Sequence, residues 1–354
     1  MLTGKYPVET GHFTWFHLSE NSPFAWLRPF CFLSFLPQFK LYEPVKVLIR
    51  KTTSLITGRA YPDPAHIPLD LLPRFERVDG DEIGGISIDS ICRSSGRRAI
   101  NLMNNNNFVG MKTCSAMFEA AATALEREVF DLCMIHIGEL DVDGHKLGPR
   151  ADLLGGHLAT IDACLSRLHR AARRLGISCN MVIVSDHGMQ PVAGTVDVIG
   201  RVKEAASRAG LRSPRDYLYF LDSTMARFWF PNGAARRPIE EALSAVPHGH
   251  IVTEGEKEER GINFRHNLYG DTLFWLDKGY IVFPNFFQST YSDCPRGMHG
   301  YMDDDDGLLV LYSDSDSGAE AYRRNQKDPV PLVDIFSIVL DMMGVGPAER
   351  LGAG

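Results

Sequence analysis

Two short stretches of this chain place a carboxylate and an imidazole directly after an apolar run. In Met134-Ile-His-Ile-Gly-Glu-Leu-Asp-Val-Asp-Gly-His-Lys-Leu-Gly-Pro149, Asp141 and His145 stand four apart. In Val182-Ile-Val-Ser-Asp-His-Gly-Met189, Asp186 and His187 are adjacent. A third imidazole, His299, lies far along the chain between glycines, in Arg296-Gly-Met-His-Gly-Tyr301. Carboxylate plus neutral imidazole is the ligand chemistry of zinc and its first-row neighbours. Each motif alone is also what an ordinary loop or helix start carries. Together, two half-sites and a distant completing ligand point to a hydrolase that works with two metals.

The elements around these residues have to bring them to one place. Leu132 to Ile137 is short, apolar and ended by glycine, the pattern of a buried parallel strand. Asp141 and His145 then fall in a loop, where Gly144 lets the backbone curl so that both side chains point into one site. Pro149 can open a helix. Leu154, Leu158, Ile161, Leu165, Leu168, Ala172 and Leu175 recur at helical spacing, and Gly176 stops the run. Met181 to Ser185 is the next buried strand. Strand, loop, helix and strand make a βαβ unit, and both Asp/His pairs follow carboxyl ends of strands, where open α/β sheets collect ligands.

Elsewhere the patterns are positional. Phe13 to Leu41 is aromatic-rich and broken by prolines, the composition of packed cover. Ser87 to Cys92 reads as a helix before a turn and a strand, Asn104 to Asn107 as a loop, and Ala116 to Phe130 as a helix feeding the strand at Leu132. Between Gln190 and Arg296 the pattern shifts towards β, as in Met225 to Phe230 and Gly279 to Phe283. Glu254 to Arg260 resembles a surface connection. Asp306 to Tyr312 is a late strand and Val333 to Met343 a closing helix. His136 falls at a core position or behind the ligands, His157 and His169 on the long helix in packing or surface roles. Asp303 to Asp306 is a solvated acidic turn rather than a cation site. The expected organisation is one α/β domain over residues 1–354, with an insertion or cap over 195–295.

With 354 residues, 44% hydrophobic and 23% charged, the chain can bury a large core, so a metal would serve chemistry and not folding. The formal net charge of −7 argues against nucleic-acid binding. The seven cysteines are odd in number, widely spaced and without a CxxC pair, which favours free thiols in a reducing, cytoplasmic setting. The most apolar stretch, Phe24 to Phe39, carries Arg28, Pro29 and Pro37, so no transmembrane segment is expected.

Taken in order, the motifs resemble those of the type I phosphodiesterase/nucleotide pyrophosphatase family of the alkaline phosphatase superfamily. Leu2-Thr-Gly-Lys-Tyr-Pro7 is similar to its Thr-Gly-x-Tyr-Pro segment, and Asp141 to Pro149 to its Asp-x-x-Gly-His-x-x-Gly-Pro. Ser185-Asp-His-Gly-Met189 matches in full, and Gly297-Met-His-Gly-Tyr301 resembles its late Gly-x-His-Gly. The resemblance implies an alkaline-phosphatase-like α/β core: a mostly parallel sheet with helices on both faces, here lacking its first strand, with a β-rich elaboration. It implies that Asp141, His145 and His299 hold one metal and Asp186 and His187 the other, both divalent, zinc or manganese. The family completes the second site with an early Asp and with a Thr or Ser nucleophile. Both precede the Thr-Gly-x-Tyr-Pro segment, so the resemblance places them upstream of this chain, and Thr3 is not the nucleophile. Thr10 stands where family members often have His before the residue matching Gly11. The implied reaction is phosphoryl transfer from a small phosphate ester to that hydroxyl and then to water. Two alternatives stand beside it. A sulfatase on the same fold needs a Cys/Ser-x-Pro-x-Arg sequence, which Cys294-Pro-Arg296 does not match. A non-catalytic remnant would keep the metal ligands and bind a partner.

Overall fold

A computed structural model of the chain describes residues 3–35, 38–58, 64–78, 87–102, 113–288, 291–302, 306–314 and 329–346. It opens with one helical turn, α1 (Pro7–Thr10), and strand β1 (Phe16–Leu18). A 3-10 helix over Ala25–Phe35, α2 (Gln38–Thr57) and β2 (Phe75–Arg77) follow. Next come α3 (Ile88–Ser94), β3 (Ala99–Leu102), α4 (Cys114–Arg127) and β4 (Leu132–Ile135). The first motif falls on α5 (Glu139–Leu147), and α6 (Ala151–Arg174) leads to β5 (Asn180–Val184). The middle of the chain holds β6 (Gln190–Pro191), β7 (Gly194–Val196), α7 (Val198–Arg208), β8 (Leu218–Leu221), β9 (Met225–Trp229) and α8 (Arg236–Ser244). It continues through β10 (Gly249–Ile251), α9 (Glu254–Glu259), β11 (Thr272–Leu276), β12 (Tyr280–Val282) and β13 (Gly297–Met298). The last elements are β14 (Leu309–Ser313) and α10 (Ile335–Met342). These fall into two compact units, one of residues 1–10, 83–189 and 305–354, the other of residues 11–82 and 190–304.

The first unit is layered α/β. β3 and β4 pair in parallel, with Ala99 opposite Leu132 and Leu102 opposite Ile135. β5 pairs antiparallel with β14, with Leu309 opposite Val184. Among the described residues β4 and β5 are therefore not a hydrogen-bonded pair, although their spacing suggests direct neighbours. α10 brings them together instead. Leu340 and Phe336 pack with Leu132 and with Ile88 and Ile91 of α3. Ile335, Ile338 and Met342 of the same helix pack on Val182, Val184, Leu309 and Leu311. The opposite side of β4, through Ile135, meets Cys114 and Phe118 of α4 and Cys164 and Leu165 of α6. Helices thus cover both faces of β4, as side chains alternating across a strand require. The strand's residues are half-buried, less enclosed than their apolar run suggests.

Local chemistry sets the element ends. The Ser87 and Thr113 hydroxyls accept from the amides of Ser90 and Ala116 and start α3 and α4. α6 ends as its periodicity predicts: Gly176 takes φ +72°, and the amides of Gly176 and Ile177 donate back to Arg173 and Ala172. At Gly4, φ is +64° and an added Cβ would lie 2.8 Å from Phe336. The Thr-Gly-x-Tyr-Pro segment is thereby held against the closing helix, by a close approach that only glycine permits.

The second unit is the β-rich part. β10, β11, β9 and β8 form an antiparallel sheet in that order. Its core joins Phe220, Phe228 and Trp229 to Phe16, Phe24 and Phe75 from the early segment. The aromatic cover is therefore only partly packed, since Trp15, Phe30 and Phe32 stay exposed. Glu254 to Glu259 is a helix and not a plain connection, because Thr253 and Glu256 form a reciprocal capping box. Arg227 of β9 is fully enclosed. Its Nε donates to Asp222 Oδ2 at 2.8 Å, its Nη1 to the Phe16 carbonyl at 2.8 Å, and its guanidinium lies 4.5 Å from the Phe220 ring centre. Removing one member of a buried ion pair strands the other charge, which costs about 3–5 kcal/mol. Arg227→Ala should lower unfolding stability by about that much in urea titration. Adding Asp222→Ala should cost less than the sum of the two single changes; simple additivity would show that the pair is not coupled.

Candidate functional site

Asp141 and His145 are helical, which corrects the loop expected for them. At i and i+4 on α5 they share one face, so the helix and not a curled loop aligns them. His145 Nε2 lies 3.3 Å from Asp141 Oδ1. Gly144 has a different task from the one expected. A Cβ there would come within 2.9 Å of Met189 Cε, so its absence lets α5 press against the side chain two residues past His187. The first motif is thus packed directly on the end of the second.

Asp186 and His187 follow β5 by two and three residues. Ser185, just before them, is clamped to the neighbouring strand's lead-in. Its amide donates to the Leu308 carbonyl at 3.0 Å and its hydroxyl accepts from the Leu308 amide at 2.7 Å. His187 Nδ1 lies 2.9 Å from the Gly188 carbonyl. A carbonyl can only accept, so Nδ1 must carry the proton, and in the neutral ring Nε2 then holds the lone pair. That Nε2 is 3.5 Å from Asp186 Oδ1. Two acceptors at this separation suit a shared cation, and a carbonyl on the second ring nitrogen is the usual way a ligating histidine is oriented. By this donor chemistry the residues fit a divalent metal.

His299 belongs to the second unit and is half-buried. It follows β13, which pairs with β6 through Gly297 opposite Pro191 and Met298 opposite Gln190. Gly300, at φ +79°, offers its carbonyl to Thr224 Oγ1 at 2.7 Å and to Trp275 Nε1 at 2.9 Å. The backbone at His299 is therefore fixed on its C-terminal side by Trp275 of β11 and by Thr224 in the turn between β8 and β9.

Two contacts near the first motif have no periodic signal in the sequence. Asp143 Oδ2 lies 2.7 Å from His157 Nε2, which ties α5 to α6 across the break between them. Glu139 Oε1 accepts from the Cys114 amide at 2.7 Å and ties the first turn of α5 to α4. His136 is exposed at the end of β4 and is not a core residue. His169 sits 3.4 Å from Asp314. Asp303 to Asp305 and Asn104 to Asn107 lie outside the described residues. The thiols supply no nucleophile: burial pushes Cys114 and Cys133 up to about 11, and raises Cys31, Cys92, Cys179 and Cys294 as well. A thiol with a raised pKa is neither an effective nucleophile nor a thiolate ligand at neutral pH.

The model of the type I phosphodiesterase/nucleotide pyrophosphatase family matches residues 95–277, half of the chain and both Asp/His pairs. The chain belongs to this family. It is 20% identical over 231 residues to human ectonucleotide pyrophosphatase/phosphodiesterase family member 5, a match over 64% of this chain and 45% of the relative. The chain thus spans less than half the length of that relative. Among solved structures, the human family member 5 superposes with a TM-score of 0.58 at 15% identity, covering 77% of this chain and 74% of the other. The murine protein, one structure of which is an inactive variant in complex with AMP, gives 0.55 at 15% identity over 75% and 71%. At these identities the likeness establishes the shared alkaline-phosphatase-like α/β fold.

The contact between Gly144 and Met189 can be tested by volume. Gly144→Ala displaces only the flexible end of Met189 and gains helix propensity, so stability should stay within about 1 kcal/mol of the parent. Gly144→Ile overpacks the contact and should cost about 1–3 kcal/mol. Met189→Ala should restore most of that loss in thermal or urea denaturation if the two side chains compete for one space. A loss undiminished by Met189→Ala would place the clash elsewhere.

Proposed function

We propose that this family member is a metal-dependent hydrolase of phosphate esters, of the phosphodiesterase/nucleotide pyrophosphatase type, using two divalent metals, zinc or manganese. Asp141, His145 and His299 would hold one metal, and Asp186 and His187 the other. The observation that carries this reading is the close packing of two Asp/His pairs beyond β4 and β5, inside the stretch that matches the family. Three N/O ligands make the set of an open catalytic zinc site. His299 joins through the family's late Gly-x-His-Gly pattern. Its strand pairs with β6, which starts three residues after His187 in the chain.

When bound, the two cations would polarise the phosphoryl group and lower the pKa of the attacking hydroxyl. The protein's own part is positional. α5 presents Asp141 and His145 on one face, the Gly188 carbonyl sets the His187 tautomer, and the Ser185 clamp fixes the backbone before Asp186. In this reading the hydroxyl nucleophile and a further carboxylate come from a segment N-terminal to Met1 in the complete enzyme. The murine relative supports the hydroxyl nucleophile, since its inactive form replaces a threonine with alanine and is in complex with AMP. A nucleotide-bearing phosphodiester is accordingly the proposed substrate class.

Protein purified without chelator should carry bound transition metal by mass spectrometry. His299→Ala should weaken that binding by about 100-fold, the upper end of what disturbing the ligands' surroundings already costs. Metal content untouched by His299→Ala would remove that residue from the site. A chain extended upstream, with zinc or manganese added, should release p-nitrophenolate from bis(p-nitrophenyl) phosphate. Asp186→Asn should reduce that rate by about 1,000-fold, the scale of losing one charge-stabilising group at a reacting centre. Turnover of a sulfate ester alone would favour the sulfatase.

A further inference from the structure

We infer that the surface formed by residues 25–34 and 44–57 in the second unit is a docking surface for an anionic lipid membrane. α2 is turned the wrong way for a helix that faces only water. Lys46, Ile49 and Thr53 point inward, at 6%, 2% and 0% exposure. Trp26 Nε1 pins that face by donating to Thr53 Oγ1 at 3.1 Å. The opposite side carries Val47, Leu48 and Leu55, at 41%, 63% and 84% exposure, with Ile56 at 58%. Leu48, Lys51 and Leu55 follow one another at spacings of three and four, so they form one stripe along the helix. The 3-10 helix tied to α2 through Trp26 adds Phe32 and Phe30, exposed by 67% and 46%.

Charge selects the occupant. Within residues 25–34 and 44–57 the sequence holds four cations, Arg28, Lys46, Arg50 and Lys51, and no acid. The whole chain carries −7, so this segment runs against the sign of the protein. Arg28, Arg50 and Lys51 are exposed beside the apolar side chains. Apolar side chains flanked by cations are the pattern of a helix that lies in a membrane interface. No helix among the described residues is long and apolar enough to cross a membrane. A second copy fits less well, because a two-fold contact through this stripe would set Arg50 and Lys51 against their own counterparts. An anionic headgroup layer neutralises Arg28, Arg50 and Lys51 and takes up the apolar stripe.

The test is flotation of the full chain with vesicles of phosphatidylcholine alone and of phosphatidylcholine with phosphatidylserine at 7:3. Partitioning should be at least tenfold stronger on the anionic vesicles in 50 mM salt and should fall in 500 mM salt. Each cation near such a surface is worth about fivefold in partitioning, so Arg50→Ala with Lys51→Ala should lose about 25-fold. Leu48→Ser with Leu55→Ser should weaken binding to both vesicle types while leaving the circular dichroism spectrum unchanged, since both side chains are exposed. Equal partitioning into neutral and anionic vesicles, no binding to either, or binding indifferent to both double variants would overturn the proposal. So would a dimer in sedimentation velocity that Leu48→Ser with Leu55→Ser converts to monomer, because the stripe would then be an interface between copies.

Discussion

The packing of α10 across two separate strand ladders is the constraint on which the candidate site rests. One side of this helix holds β4 through Leu132, and the next side holds β5 and β14 through Val182, Val184, Leu309 and Leu311. No ladder of hydrogen bonds joins β4 to β5 among the described residues. Their neighbourhood is therefore a matter of apolar packing, which has no directional preference of its own. Direction comes from shape. At Gly144 α5 lies directly against the Met189 side chain, and the Leu308 backbone grips Ser185 just before the second pair. A non-directional force closes the layer, and two close approaches set where the candidate ligands stand.

Around the ligands, hydrogen bonds do the orienting. The Gly188 carbonyl admits only one proton position on neutral His187. The Asp143–His157 contact and the Glu139–Cys114 contact fasten α5 at its middle and at its start to two different helices. A metal site needs donor atoms held to within about half an ångström, and side chains gain that rigidity from partners behind them. Cys114 and Cys133, raised by burial, stay out of this chemistry and serve as packing.

The second unit solves a different problem. Its antiparallel sheet encloses Arg227, whose charge is answered by Asp222, the Phe16 carbonyl and the face of Phe220. Trp275 of that sheet and Thr224 of its β8–β9 turn donate to the Gly300 carbonyl, so the loop bearing His299 is braced against the sheet. The early aromatic segment divides by chemistry. Phe16 and Phe24 complete the core, while Phe30, Phe32 and one face of α2 keep apolar surface in contact with water. A patch that exposes large apolar side chains among cations has a purpose beyond folding.

The sequence alone determined the family, the candidate ligands and most of the elements, because these are written in residue type and period. Asp141, His145, Asp186 and His187 were legible from apolar runs that end in Asp and His, and α6 from its repeat and its stop at Gly176. Helix α5 was misread as a loop, because Gly144 and the run of polar residues hide its period. Glu254 to Glu259 reads as a connection by its charge, although the Thr253-x-x-Glu256 spacing already carries a capping box in the sequence. Tertiary structure decided the rest. Strand partners depend on which ladder a distant segment such as β14 joins, and nothing local to β5 encodes that choice. The neighbourhood of the two half-sites depends on the helix that straddles β4 and β5. The unpartnered face of α2 appears only when burial is known, because a stripe of leucine and valine looks the same in sequence whether it turns inward or out.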